Sequence, residues 1–307
     1  MCISFFGIGL EKYKLVIAAN RDEFIHRKAL RAEKRDNFIC GLDIGHIGTF
    51  GDEFEKSYGT WIGINLKGKF GFLTNLRQDI KSIQIDKKSR GFLVKDYISS
   101  EVEDLDPLKY LHSLNKKDYN GFNLIIGDLK KNKMYYTGNK GSLKLNEFDM
   151  RDTAIEKDLS NEGVAELQTN ILYGISNGVL TEFFKEEVEW EKVKKGKTIF
   201  ERLLKQDYKK EELVDKLLDE LLSDNIEIHS NLPNILGIET EKNLSSICIE
   251  CNKPGSLLKN YGTRTQTIIL VDYADRLTFV ERDRYTVDEN SEIIPGDFRK
   301  IIEEVLL

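Results

Sequence analysis

Cysteine stands at position 2, directly after the initiator methionine. Cellular processing removes that methionine ahead of a small second residue, which would leave Cys2 carrying both a thiol and a free α-amino group. Such a residue holds nucleophile and general base together, because an α-amine titrates at about 7.7–8.0 and can take the thiol proton directly or through water. The thiolate is the reactive form, and a neighbouring cation raises its share. The competing reading of Cys2 is a small apolar residue that opens a strand.

Asn20-Arg21-Asp22-Glu23 follows the apolar run that ends at Ala18-Ala19. If the two opening apolar segments pair as antiparallel strands, this tetrapeptide lies beside Cys2. Arg21 would then favour the thiolate, and Asp22 would hold the α-ammonium by charge-assisted hydrogen bonds. Asn-x-x-Glu is equally a capping-box signal, with Asn20 as N-cap and Glu23 at N3 of a short helix. Asn75 and Asn177 each end a predicted strand, where an amide can donate to an oxyanion in acyl transfer. Both types are also common in turns, and Asn177-Gly178 is a turn signature. Arg264, at the mouth of the last hairpin, can meet a carboxylate or the thiolate, or lie at the surface.

The positioning elements read as mostly β. Residues 2–9 and 14–19 are predicted strands around a polar turn, and residues 60–66 and 69–75 form a hairpin turned at Lys67-Gly68. A helix is expected over 89–99, with Phe92, Leu93, Tyr97 and Ile98 on its apolar stripe. Further strands are expected at 122–127, 133–137, 172–175 and 246–250, and a closing hairpin pairs 265–273 with 277–284. Between them, leucines and Phe200 recur at spacings of three and four over 181–223, which predicts an amphipathic helix pair packed on a sheet. Strict βαβ alternation is absent, so an antiparallel α+β architecture is expected in one domain spanning 1–307. The polar stretch 149–168 reads as a loop or insertion, and the glycine-rich 45–51 as a loop flanking the pocket, since it lacks the Gly-Lys-Ser/Thr of a phosphate-binding loop.

Composition narrows the function. Basic residues number 46 against 52 acidic, for a net charge of −6, and 40% of residues are hydrophobic. Phosphate-backbone binding needs clustered Lys and Arg, so nucleic acid is not an expected partner. The short basic runs at 87–90, 130–133 and 194–197 read as solvated surface. Nothing basic precedes Ile3, and Glu11-Lys12 interrupts the first apolar run, so neither a secretory signal nor a transmembrane segment is read and the chain is expected in the cytosol. Its four cysteines need not pair. Cys248-x-x-Cys251 lacks the further ligands zinc needs, and the four histidines show no i, i+4 pairing, so no metal site is expected.

Taken together, Met-Cys-Ile, Ala-Asn-Arg-Asp-Glu, Gly59-Thr60-Trp61-Ile62-Gly63, Leu73-Thr74-Asn75-Leu76-Arg77, Tyr173-Gly174-Ile175-Ser176-Asn177 and Tyr261-Gly262-Thr263-Arg264 resemble, in order, the transport and Golgi organisation protein 2 family, also called NRDE. The order Cys, Arg-Asp, Asn, Asn, Arg also resembles the choloylglycine and penicillin-acylase branch of the N-terminal-nucleophile hydrolases, although that branch separates the Arg and Asp that are adjacent here. The resemblance implies a four-layer αββα sandwich. Within it Cys2 would be the nucleophile, Arg21 and Asp22 would orient it, Asn177 would lend an oxyanion donor, and Arg264 would support the thiolate; Asn75 stays a catalytic candidate from its place at a strand end. Asn20, Glu23, Trp61 and Arg77, from the matched blocks, are candidate ligand-binding residues. By the same resemblance the chain would act in Golgi organisation and secretion, with Golgi or mitochondrial association, by binding haem or an acyl-CoA-type lipid as transported ligand rather than as a cofactor. The alternative is an amidohydrolase working through a thioester on Cys2.

Overall fold

The computed structural model describes residues 2–45, 58–102, 105–139, 163–183, 188–233, 235–255 and 258–306. Its strands are β1 (Cys2–Ile8), β2 (Leu15–Phe24), β3 (Ala29–Arg35), β4 (Phe38–Asp43), β5 (Ile62–Asn65), β6 (Lys69–Asn75), β7 (Phe122–Asp128), β8 (Lys133–Gly138), β9 (Val164–Leu167), β10 (Tyr173–Ile175), β11 (Tyr261–Val271), β12 (Arg276–Asp283), β13 (Tyr285–Val287), β14 (Ile293–Pro295) and β15 (Arg299–Val305). The helices are α1 (Gly91–Ile98), α2 (Pro107–Ser113), α3 (Glu191–Leu204), α4 (Lys210–Lys216), which runs on as a π-turn over Leu217–Leu221, and α5 (Ile238–Asn243).

The strands form two large sheets, both paired antiparallel throughout. One has six strands in the order β10-β1-β2-β11-β12-β15, the other seven in the order β3-β4-β5-β6-β7-β8-β9, and β13-β14 stands as a separate hairpin. Side chains alternate across a strand, so neighbours in β1 and β2 serve different cores. Phe6, Ile8, Ile17 and Ala19 pack against Ile62, Ile64, Phe70 and Phe72 of the second sheet, with the Phe6 and Phe72 rings edge to face at 4.8 Å. Ile3, Phe5, Val16 and Ala18 turn the other way, onto Val193, Phe200, Leu203, Leu213 and Leu217 of α3, α4 and the π-turn. The outer face of the second sheet, with Cys40, Leu73, Leu124 and Ile126, is covered by Leu93, Val94, Tyr97 and Ile98 of α1 and Leu111 of α2. The result is the four-layer αββα sandwich. Coverage on both faces explains why the central strands are continuous apolar runs instead of alternating ones.

The helix expected over 89–99 forms as Gly91–Ile98, and the closing hairpin turns where expected, with Asp275 in a left-handed conformation (φ 60). Two local readings are corrected. Asn20-Arg21-Asp22-Glu23 caps no helix: it is the last part of β2, hydrogen-bonded into β1 on one side and β11 on the other, and that two-sided pairing outweighs a local cap. Residues 246–250 form no strand, because Ile249 meets β11 only at Thr263, whose backbone N–H donates to the Ile249 carbonyl at 2.9 Å while its Oγ1 accepts the Ile249 N–H at 2.8 Å. Of the expected loop 149–168, residues 164–167 are strand β9; residues 149–162, and residues 46–51 of the glycine-rich loop, lie outside the described residues. No described helix is long and apolar enough to cross a membrane.

Candidate active site around Cys2

The tight turn between β1 and β2 sets the register, and that register puts Cys2 opposite Arg21 and Ile3 opposite Asn20. On its other edge β2 pairs with β11, Asp22 with Thr263 and Arg21 with Thr265, so Arg264 is the extra residue of a β-bulge. The tetrapeptide and the Tyr-Gly-Thr-Arg block therefore meet at the sheet end where the chain begins.

Asp22 is buried; its Oδ1 accepts from Thr263 Oγ1 at 2.7 Å, and the Tyr261 hydroxyl donates to its backbone carbonyl at 3.1 Å. Burial pushes the Asp22 carboxyl above its ordinary range, while the amino-terminal charge, Lys192 and Arg77 pull it back. The half-buried Cys2 thiol is likewise pushed up by burial; Asp22 adds to this and Arg21 opposes it. In this setting the thiol rests protonated.

Arg21 reaches across to the second sheet. Its Nη2 donates to Asp43 at 3.1 Å and its guanidinium lies 4.2 Å from the centre of the Trp61 ring, a cation–π contact. Arg27 joins the same carboxylate at 3.0 Å. Burial raises the Asp43 carboxyl, but the two guanidiniums more than offset it and hold it below the usual range. Glu23 ion-pairs with Arg27 at 3.7 Å, and Arg264 donates to the Arg27 carbonyl. Trp61 is thus a platform for Arg21, and Glu23 and Arg264 brace the loop after β2. Asn20 points away from the thiol; its Nδ2 donates to the Leu222 and Ile247 carbonyls at 2.8 and 2.9 Å, tying β2 to the helical layer.

A polar seam joins the ends of β6 and β10 across the two sheets. Asn177 Nδ2 donates to the Asn75 carbonyl at 2.7 Å, the Arg77 N–H donates to the Asn177 carbonyl at 2.8 Å, and Ser176 Oγ donates to the Cys2 carbonyl at 3.0 Å. One N–H of the Asn177 amide is therefore committed to the seam, and the other is the one that an oxyanion can use. Arg77 is buried in an ion pair with Glu241, its guanidinium 4.4 Å from the Trp190 ring centre. Beside Arg77 a cavity of about 730 Å³ opens, lined by Gln78, Lys87, Lys117, Tyr119, Gly121 and others.

Two functional candidates escaped the sequence reading. Arg90, assigned there to a solvated basic run, is half-buried, donates to the Gly121 carbonyl at 3.0 Å and interacts electrostatically with Glu23 and Cys2. Lys192 is 3% exposed, its Nζ donating to the Leu244 carbonyl at 2.8 Å. It had a legible signal: with Gly196, Phe200 and Leu203 it lies on the buried stripe of α3, where a lysine is out of place. Arg90 had none, since its burial depends on the loop bearing Gly121. Cys248 is buried and Cys251 half-buried, both as free thiols. Among the described residues no three His, Cys, Asp or Glu side chains gather as a metal site.

The fold is a four-layer antiparallel αββα sandwich, with a cysteine at the head of its first strand and charged residues of β2 and β11 at the same sheet end. The chain belongs to the Transport and Golgi organisation 2 family, whose profile matches residues 1–286. It is 32% identical to the Transport and Golgi organization 2 homolog of Mus musculus over 94% of this chain and 95% of that protein. Identity to the Homo sapiens homolog is also 32%, with coverage of 94% and 95%. The C2A mutant of conjugated bile acid hydrolase from Clostridium perfringens overlays on 98% of this chain and 96% of its own, with a TM-score of 0.41 and 10% identity.

Proposed function

We propose that the chain serves Golgi organisation and secretion by binding an acyl-CoA-type lipid, with the acyl thioester held near Cys2 and the phosphates toward Lys87 and Lys117. The observation that carries this reading is the cavity of about 730 Å³ beside Arg77, a size typical of small-molecule sites. Its inner wall, Leu76, Arg77 and Gly121, is tied to the Cys2 region by the Arg77 to Asn177 bond and by Arg90 on the Gly121 carbonyl. Arg21 and Arg77 already hold carboxylates, and Arg264 a carbonyl, so the lysines at the cavity are the better phosphate partners. Haem fits the same region less well. Burial keeps the Cys2 thiol protonated and so a poor axial ligand, and His26 is exposed and bonded to the Ser291 carbonyl.

Palmitoyl-CoA titrated into the purified protein in a calorimeter should bind saturably, and Lys87→Glu with Lys117→Glu should weaken it about 10-fold or more, with about 1.4 kcal/mol lost per decade. Absence of saturable binding would sink the proposal; tighter binding of haem than of the acyl thioester would replace the cargo.

The register of Cys2 opposite Arg21 at the head of the first strand favours a second reading, amide hydrolysis. After loss of Met1, the Cys2 α-amine would take the thiol proton and the thiolate would attack the amide carbonyl. The free N–H of Asn177 would hold the oxyanion, and collapse would expel the amine, protonated by the α-ammonium, leaving a thioester that water cleaves. Intact-mass analysis tests it: Cys2 should be the first residue and should gain one acyl group from an activated amide. Retention of Met1 excludes this chemistry.

A further inference from the structure

We infer that the free edge of β15 pairs with β15 of a second copy of the chain, antiparallel about a two-fold axis at Ile302, joining two six-stranded sheets into one. An edge strand offers a row of unpaired backbone groups, and sheets usually blunt it by shortness, a bulge or proline. The other described edges of the two large sheets follow that practice. Strands β9 and β10 have four and three residues, and β3 shifts register between Leu30 and Glu33. By contrast β15 runs seven residues without proline and pairs with β12 in unbroken register from Arg299 to Val305.

The phase of the β12–β15 ladder determines which backbone groups are free. The Asp283 N–H donates to the Phe298 carbonyl at 3.0 Å, and the Leu306 N–H to the Asp275 carbonyl at 2.9 Å. Hydrogen-bonded pairs alternate along an antiparallel ladder, so Lys300, Ile302 and Glu304 turn their backbone groups to β12. Arg299, Ile301, Glu303 and Val305 turn theirs outward. The side chains of Arg299 and Glu303 are held by Asp215 and Lys210 of α4, while Ile301 and Val305 are exposed. With the axis at Ile302, Arg299 meets Val305 of the second copy and Ile301 meets its Glu303, so all four outward residues find backbone partners. Lys300 then stands opposite Glu304 twice, in the pairs where side chains lie closest. Within one chain these charges face β3, Glu304 with Lys34 at 2.8 Å and Lys300 with Glu33 at 3.9 Å, so the pairing extends an existing network of alternating sign. Moving the axis two residues either way sets Lys300 against Lys300 or Glu304 against Glu304. The order basic, basic, apolar, apolar, acidic, acidic over residues 299–304 thus selects a copy of itself in this register.

Sedimentation velocity on the full chain should show its mass rising from one copy to two between about 1 and 100 μM. Ile301→Pro removes an outward N–H and no bond to β12, and should weaken self-association about 10-fold or more. Lys300→Glu and Glu304→Lys each set like charges across the axis and should do the same. An equimolar mixture of these two variants should pair again, because each Glu of one chain then faces a Lys of the other; a defect within either fold gives no such rescue. A mass of one copy throughout the range overturns the inference and leaves the edge to a strand of another protein. A dimer that Ile301→Pro leaves intact, or charge variants that pair alone or stay apart when mixed, overturns it too. If Ile301→Pro fails to fold, the charge variants decide.

Discussion

Glu281 on β12 reaches across to the second sheet, where its Oε1 accepts the Ala32 N–H of β3 at 2.7 Å; it is 2% exposed, and Oε2 has no hydrogen-bond partner among the described residues. Burial raises its carboxyl from the ordinary 4.5 to about 7, with Asp283 adding to the rise and Arg21 and Arg31 opposing it. A carboxyl that titrates higher in the folded chain than in the unfolded one binds a proton on folding. Its contribution is therefore fully present below pH 4.5 and is lost as pH climbs to about 7. At 1.36 kcal/mol per pH unit, that interval is worth about 3 kcal/mol. Glu281→Gln abolishes the titration while keeping the acceptor for Ala32. The new amide N–H₂ costs about 1–3 kcal/mol if it finds no acceptor, but that cost is the same at every pH. Urea unfolding followed by the fluorescence of Trp61 and Trp190 from pH 4 to 8 should show the variant gaining on the unmodified chain by about 3 kcal/mol across the range. A difference that stays flat with pH would refute the reasoning, because groups common to both proteins cancel.

Two further substitutions probe the packing beneath the site. Glu241→Gln leaves Arg77 as a buried cation without its carboxylate, since the pair is 2% and 0% exposed, and should cost about 3–5 kcal/mol in urea unfolding; a loss under 1 kcal/mol would mean the pair is not buried in solution. Gly196→Ala would place a methyl 1.9 Å from Phe5 Cζ, on the face where α3 lies against β1, and should lower stability by about 1–3 kcal/mol, seen as a reduced melting temperature. An unchanged melting temperature would show that the Phe5 ring has room to move.

Much of the scaffold was legible in the chain itself. Apolar runs bounded by turn residues located β1, the β5–β6 hairpin and the β11–β12 hairpin, and three-to-four spacing located α1 and the helical pair. The likeness of six ordered blocks indicated the family, and the order Cys, Arg-Asp, Asn, Asn, Arg indicated the layered fold. What the sequence left open were choices between local and distant partners. Asn20-x-x-Glu23 satisfies a helix cap as well as a strand, and the decision came from β11, more than 200 residues away, which pairs with β2 from Leu15 to Phe24. Residues 246–250 are as β-prone as their neighbours, yet the Thr263 side chain completes one link where a ladder would need several.

The side chains divide in the same way. The sequence by itself determined two adjacent apolar strands around a short polar turn, whose antiparallel pairing would bring Cys2 to Arg21, and the observed register does so. Only the tertiary structure decided what each polar group does: Asn20 holds the helical layer, one Asn177 N–H holds the Asn75 carbonyl, and Arg21 stacks on Trp61. Lys192 belongs with these. A lysine on an apolar stripe is visible in the sequence, but only the packed helical layer decides that it is buried and that its Nζ donates to the Leu244 carbonyl.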